Sequence, residues 1–229
     1  FRNDGFDEQT GHYMPVEEKF PDLKAMVEEV QSYGLKILLW CAPLFNLGGI
    51  QQRPFIERNL KRDGDTVHSF LCPQVREVRE YVGRMVGHLM RTYGNDGLKI
   101  DFIDPLQADA AKKCTAEHEH DMADYGEAVE ATLAIIHDAM KAVRPDALIE
   151  YRMNYSNLLT RSFATSHRAQ DAPFDFDHIR RMCTRLKSYI IDPQAGAEGN
   201  VAVHTDPAYW LPEEPLDNVA RFMASLAVS

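Results

Sequence analysis

The residues best placed to do chemistry are Lys99 and Asp101, in a short apolar run at 98–103. Glycine before the run and proline after it are typical of a buried strand in a parallel sheet. Charged side chains avoid such strands unless they are paired or reach the mouth of a site. The run therefore has two interpretations, a buried Lys–Asp ion pair or a carboxylate positioned for catalysis.

Polar and ionisable side chains also follow most of the other predicted strands. They are Asp4, Trp40, Asp101, Arg152, Asp171, His204 and Asp206. The carboxyl ends of parallel strands meet at one face, and barrel enzymes build their active sites there. No glycine-rich phosphate-binding motif follows a strand, which argues against a nucleotide-binding sheet.

Hydrophobic periodicity predicts the elements that position these residues. Helices are expected after Pro21 and Pro73 and over 122–143, 175–191 and 216–228, and strands at 35–42, 98–103, 147–151, 163–169 and 201–203. Residues 1–20 and 44–70 are expected to be loops, the second with one short helix. Alternating strands and helices predict an α/β fold, a (β/α) barrel forming one domain over 1–229.

Composition excludes several classes of function. The chain has 229 residues, 45% hydrophobic and 26% charged, which is ordinary globular composition. A net charge of −10 without a basic stripe argues against nucleic acid or an anionic membrane as partner. No apolar run reaches the roughly 18 residues that span a bilayer. The chain begins at Phe1 without a signal peptide, so we expect a trimmed N-terminus and assign no compartment.

The four cysteines lie far apart without a CxxC pair, so free thiols are expected rather than a disulfide framework. Cys114, His118, His120 and Asp121 fall close together, and such groups can hold zinc. Their spacing matches no established zinc signature and the run is otherwise charged. We therefore expect a solvated loop there, with no metal ligand and no cofactor.

Four segments resemble, in order, motifs of the retaining α-galactosidases of glycoside hydrolase family 36. They are Asn3-Asp4-Gly5-Phe6, Lys19-Phe20-Pro21-Asp22-Leu23-Lys24, Gly34-Leu35-Lys36-Ile37-Leu38-Leu39-Trp40 and Leu98-Lys99-Ile100-Asp101. Two later segments, 150–154 and 168–173, lie where that family has its fifth- and sixth-strand motifs. The chain departs from the family at Asn3, Ile100 and 168–170, where the family has Asp, Trp and a Trp-x-Ser sequence.

The resemblance implies a (β/α)8 TIM barrel that is incomplete here, its first and eighth strands not being evident. It implies that Asp101 is the nucleophile and Asp171 the acid/base of a retaining α-galactosidase, with Asp175 and Asp177 as competitors for the second role. The expected substrate-binding residues are Asp4, Trp40, Lys99, Arg152, Asn154, Arg168, His204 and Asp206. Trp40 is expected to stack on the apolar face of the sugar ring, and the others to bind its hydroxyl groups.

The implied partner is an α-galactoside or oligosaccharide, together with a second copy of the chain or further domains of a longer parent chain. Two other hypotheses stand beside this one. The first is a metal-dependent barrel hydrolase that uses Asp101 and the histidines of 114–121. The second is a carbohydrate-binding barrel fragment without catalytic activity.

Overall fold

The computed structural model describes residues 2–7, 12–45, 54–103, 114–152, 156–169, 176–192, 194, 201–204, 213 and 215–227. The strands are β1 (Arg2–Asp7), β2 (His12–Met14), β3 (Leu38–Cys41), β4 (Leu60–Asp63), β5 (Thr66–Leu71), β6 (Gly97–Ile100), β7 (Leu148–Arg152), β8 (Ser166–Arg168) and β9 (Ala202–His204). The α-helices are α1 (Leu23–Ser32), α2 (Pro54–Asn59), α3 (Arg76–Tyr93), α4 (Tyr125–Val143), α5 (Phe176–Ile190) and α6 (Leu216–Ala227). None of these helices is both long enough and apolar enough to cross a bilayer.

Five strands form one sheet in the order β3-β6-β7-β8-β9, and its registered pairs are parallel. The fold is therefore mixed α/β with a five-stranded parallel sheet, as expected of a partial (β/α) barrel. Closure of the sheet into a barrel, and a single domain over the whole chain, stay predictions. By contact density the chain divides into two compact units, Phe1–Ile149 and Glu150–Ser229.

The expected loops at 1–20 and 44–70 are wrong in part, because each contains an antiparallel strand pair. β1 pairs with β2, and β4 pairs with β5. The second hairpin escapes pattern analysis because Lys61, in the middle of a charged stretch, is fully buried. Its ammonium group lies 5.9 Å from the ring centre of Phe70 and 5.4 Å from that of Tyr125, so aromatic faces accept a cation at a core position.

The helix α1 begins and ends where its sequence signals predict. The Asp22 carboxylate caps its first turn by accepting from the N–H of Ala25 at 2.9 Å. The longer helix α3 ends at Gly94, whose φ of +66° is a left-handed conformation that glycine adopts without strain. Its buried face includes Val82, Met85 and Val86, each contributing roughly 1.5–3 kcal/mol by apolar burial.

Asp96 joins four elements of the first unit. Its carboxylate accepts from the Gln31 side chain at 3.0 Å and from the N–H of Ile37 at 3.0 Å, linking β6 to α1 and to the start of β3. It also pairs with Lys36 and with Arg144, which follows α4. Burial alone would raise the pKa of Asp96, but the bonds from Gln31, Ile37 and Lys36 outweigh it and hold the pKa at about 2.

The second unit has its own small core. Ala169, Ile179, Cys183, Leu186 and Ile190 pack together, joining the end of β8 to α5. The basic face of α5, with Arg180 and Arg181, is outside this cluster. Such a helix, apolar on one side and charged on the other, matches the prediction for 175–191.

Candidate active site

The parallel pairing of β3 with β6 brings three predicted site residues together. Trp40 and Lys99 are register partners on the two strands. One residue beyond the last pair, the N–H of Asp101 donates to the carbonyl of Cys41 at 2.9 Å. Asp101 therefore lies at the carboxyl end of β6, where the catalytic residues of barrel enzymes are found.

The Asp101 carboxylate is held on both oxygens. Its Oδ2 accepts from the indole N–H of Trp40 at 2.9 Å and lies 3.7 Å from the Lys99 ammonium nitrogen. Its Oδ1 accepts from the N–H of Phe102 at 2.8 Å. Asp101 is 7% exposed. Two hydrogen bonds and a nearby cation therefore hold the carboxylate in one orientation. The buried ion pair and the catalytic carboxylate, the two interpretations of residues 98–103, are therefore compatible, since an ion pair with Lys99 does not prevent a catalytic role.

Phe102 adopts a backbone conformation that is unusual for a bulky residue. Its φ is +51°, in the left-handed region that side chains other than glycine, asparagine and aspartate rarely enter. Backbone strain of this kind collects at functional sites. Here the chain turns immediately after Asp101, and the Phe102 ring remains 37% exposed.

Trp40, Phe45 and Phe102 lie beside Asp101, and Trp40 and Phe45 each contact Phe102. We call these three residues the aromatic group. Phe45 stacks on Phe102 with ring centres 4.8 Å apart, and Trp40 meets Phe102 edge-on at 6.2 Å. Aromatic faces suit the C–H surface of a pyranose ring. Sequence reasoning named Trp40 alone. The position of Phe102 next to Asp101 was an available signal, whereas nothing in the sequence marks Phe45.

Cys41, the last residue of β3, is fully buried. Burial, and then the negative charge of Asp101, raise the pKa of the Cys41 thiol well above its usual range. The thiol therefore stays neutral. A neutral, buried thiol is a poor nucleophile, so Asp101 is the better candidate for that role here.

The second unit brings three more predicted residues into register. Arg152 pairs with Arg168 across β7 and β8, and Arg168 pairs with His204 across β8 and β9. His204 Nε2 lies 3.2 Å from a carboxylate oxygen of Glu150, a residue that sequence reasoning quoted only as part of a motif. These side chains offer hydrogen-bond donors and acceptors of the kind that bind sugar hydroxyls.

For four of the predicted residues the structure describes no side chain. Asp171, Asn154 and Asp206 lie outside the described ranges. Asp4 lies within β1, in a two-stranded antiparallel sheet and not in the parallel sheet, and its side chain is not described. The roles assigned to these four residues stay predictions, as do those of the other predicted site residues.

A second group of reactive side chains lies in the first unit. Ligand atoms of Cys72, Cys114, His118 and His120 all lie within 4.8 Å of one another. The expectation of a solvated loop is wrong for Cys114, which is buried. Spacing analysis missed Cys72, which is 48 residues before His120 and contacts it. Asp101 is not in this group, so the described residues give no support to a hydrolase that uses Asp101 with these histidines.

Comparison with solved structures identifies the fold. A family 31 sulfoquinovosidase from E. rectale, in complex with an aza-sugar inhibitor, aligns with a TM-score of 0.64 at 14% identity over 95% of this chain and 34% of that chain. The α-galactosidase of Lactobacillus brevis aligns at 0.51 and 15% identity over 91% and 32%. The cycloalternan-forming enzyme of Listeria monocytogenes, in complex with a pentasaccharide substrate, aligns at 0.52 and 14% identity over 90% and 24%.

These alignments show a glycosidase-like fold. No protein-family profile matches the chain, and no curated protein matches it in sequence. The chain spans between 24% and 34% of the length of the three structures named.

Proposed function

We propose that this protein is a retaining α-glycosidase, and specifically an α-galactosidase, with Asp101 as its nucleophile. The observation that carries the proposal is the geometry of Asp101 at the carboxyl end of β6. An oriented carboxylate there lies beside a cation and three aromatic rings. The glycosidase-like fold supports the reaction class, and the ordered motif resemblance to family 36 supports galactose as the sugar.

The proposed reaction is a double displacement. The Asp101 carboxylate attacks the anomeric carbon while Asp171 donates a proton to the departing glycosidic oxygen. A glycosyl ester on Asp101 results, with its configuration inverted. Water then attacks the same carbon, Asp171 takes its proton, and the ester bond to Asp101 breaks, which restores the α configuration and both carboxyl groups. This mechanism requires the two carboxyl groups to lie about 5–5.5 Å apart.

The contacts around Asp101 suit this role. The Trp40 indole N–H and the Phe102 backbone N–H fix the carboxylate in one orientation, which favours a single attack trajectory. The Lys99 ammonium group lies 3.7 Å from the carboxylate and offers donors to a sugar hydroxyl. The residues proposed to bind hydroxyl groups are Asp4, Lys99, Arg152, Asn154, Arg168, His204 and Asp206. Trp40 is proposed to stack on the sugar ring.

Turnover of 4-nitrophenyl α-galactoside by the protein and by its Asp101→Ala and Asp101→Asn variants tests the assignment. Both variants should lose activity by about 10³-fold or more, because no group remains to form the covalent intermediate. Asp146→Ala, at an exposed position after α4, is the matched control and should keep full activity. Undiminished turnover by a folded Asp101 variant would contradict the proposal.

A further inference from the structure

The geometry points to a structural zinc site formed by Cys72, Cys114, His118 and His120. The two sulfur–nitrogen pairs that contact each other, Cys72 with His120 and Cys114 with His118, are each 3.5 Å apart. Zinc–sulfur bonds of about 2.3 Å and zinc–nitrogen bonds of about 2.0 Å place tetrahedral ligands about 3.3–3.8 Å apart. These two sulfur–nitrogen separations therefore already have the length of an edge of a tetrahedral zinc site.

The longest separation among the four atoms is 4.8 Å. It exceeds a tetrahedral edge by about 1 Å, a difference that small side-chain rotations close when a metal binds. Two thiolates neutralise the charge of a divalent zinc ion, so the complete centre can be buried without an uncompensated charge. The mixture of two soft sulfurs and two imidazoles in a compact group selects zinc among common divalent ions.

Contacts outside the four ligands hold them in the orientation that a metal requires. His118 Nδ1 lies 2.9 Å from the carbonyl of Arg58, which fixes the proton on Nδ1 and turns the free lone pair of Nε2 toward Cys114. The backbone N–H of Arg62 donates to the Cys114 sulfur at 3.4 Å. Backbone hydrogen bonds from Gln74 and Ala116, each two residues after a cysteine, also reach the two sulfurs. Such outer contacts are typical of metal-bound thiolates and imidazoles.

The segment that supplies Cys114, His118 and His120 is held by individual bonds and not by regular secondary structure. Residues 114–124 contain no helix or strand, yet they connect to the 58–79 region through several bonds. Thr115 donates to the carbonyl of Arg62 at 2.9 Å, and Arg79 pairs with Asp121 at 2.6 Å. A metal in such a segment replaces the apolar core that the segment lacks.

The site also bears on the aromatic group beside Asp101. Cys72 directly follows β5, and the last residue of that strand, Leu71, donates to the carbonyl of Leu44 at 2.9 Å. Phe45, the next residue, forms a bridge with Phe70 and stacks on Phe102. We therefore expect the metal to stabilise the hairpin against which Phe45 is fixed. With four protein ligands and no open position, zinc here is structural and not catalytic.

Metal analysis of the protein, purified without chelator or a metal-affinity column, tests the site. After dialysis, we expect elemental mass spectrometry to find one zinc ion per chain. The Cys114→Ser and His118→Ala variants should lose the zinc, whereas Cys183→Ala and His137→Ala should keep it. Cys183 is a buried cysteine in the second unit and His137 lies on α4, so they match the ligands in type but lie outside the group.

Cobalt provides a second readout that does not depend on variant folding. Metal-free protein titrated with Co²⁺ should develop the visible and thiolate charge-transfer bands of a tetrahedral S₂N₂ centre, and added zinc should abolish them. Zinc should also raise the midpoint of thermal unfolding. Absence of zinc together with absence of those bands would overturn the site, as would a Cys72–Cys114 disulfide in the native protein. None of these results depends on glycosidase activity, so this inference and the proposed function fail separately.

Discussion

At the scale of single residues, the site is defined by what holds Asp101. Trp40 reaches its carboxylate from the neighbouring strand, and the Phe102 N–H reaches the other oxygen. Sequence reasoning predicted Trp40 as a sugar-stacking residue, but the structure also gives it a bond to Asp101. Strand register decides that bond, since Trp40 and Lys99 are opposite each other. Register between distant strands cannot be read from either strand alone.

Replacing Trp40 with phenylalanine removes the indole N–H and keeps an aromatic ring. A hydrogen bond to a charged group contributes about 1.5–3 kcal/mol, so we expect kcat/KM for an α-galactoside to fall roughly 10- to 100-fold. Tyr33→Phe, at an exposed site after α1, is the control. Unchanged kcat/KM in Trp40→Phe would show that this bond does not orient the nucleophile.

At the scale of elements, the sequence predicts most helices and parallel strands and misses the antiparallel hairpins. Amphipathic helices such as α3 and α4 have a clear period and a marked start or end, so they are readable. The β4–β5 hairpin is not, because Lys61 breaks its apolar pattern while packing against aromatic rings. Cys72 was missed for a different reason. Its partner His120 lies in a distant segment of the sequence, so no local spacing links the two.

A substitution at Gly97, the first residue of β6, tests how closely β6 and β7 approach each other. A Cβ added there would collide with the Leu148 carbonyl oxygen and lie 2.7 Å from the carbonyl carbon. Backbone atoms of a paired strand cannot move aside cheaply, so Gly97→Ala should lower the free energy of unfolding by about 3 kcal/mol or more. Urea unfolding of the variant and of the unmodified protein measures this change in the free energy of unfolding.

Gly87→Ala is the matched control for this substitution. Its added Cβ would meet only the flexible end of the Arg91 side chain, at 3.1 Å. Alanine also has the better helix propensity within α3, so stability should be unchanged or slightly higher. Equal free energies of unfolding for the two variants would contradict the close approach of Gly97 to Leu148.

At the scale of the whole molecule, Asp96 in the first unit and His167 in the second are buried groups whose protonation couples to folding. In the first unit the pKa of Asp96 is held at about 2, below the usual value of 3.8. In the second unit, burial lowers the pKa of His167 from 6.5 to about 4. His167 is fully buried, and its Nδ1 lies 2.8 Å from the Ser156 hydroxyl. The two groups act in different pH windows.

We therefore expect stability to fall with acidification in two steps. Between pH 6.5 and 4 the unfolded chain binds a proton at His167 that the folded chain does not, so the free energy of unfolding decreases by up to ~1.4 kcal/mol per pH unit. Below pH 3.8 the contribution of Asp96 is lost in the same way as pH falls toward 2. Urea unfolding at pH 7, 5.5 and 4 checks the first step.

His167→Gln removes the titrating group and keeps a polar partner for Ser156. This variant should lose the pH 6.5–4 part of the slope, while His137→Gln on α4 should retain it. If His167→Gln shows the same pH dependence as the unmodified protein, His167 is not the group responsible.

The proposed function depends on Asp101 forming a covalent bond to the sugar. Azide rescue of Asp101→Ala tests this nucleophilic role most directly. With the carboxylate absent, azide can enter the vacated space and attack an activated α-galactoside, and NMR gives the configuration of the product. The account predicts that azide restores consumption of the substrate and that the product is β-galactosyl azide. Hydrolysis at the unmodified rate, or an α-configured azide, would contradict it.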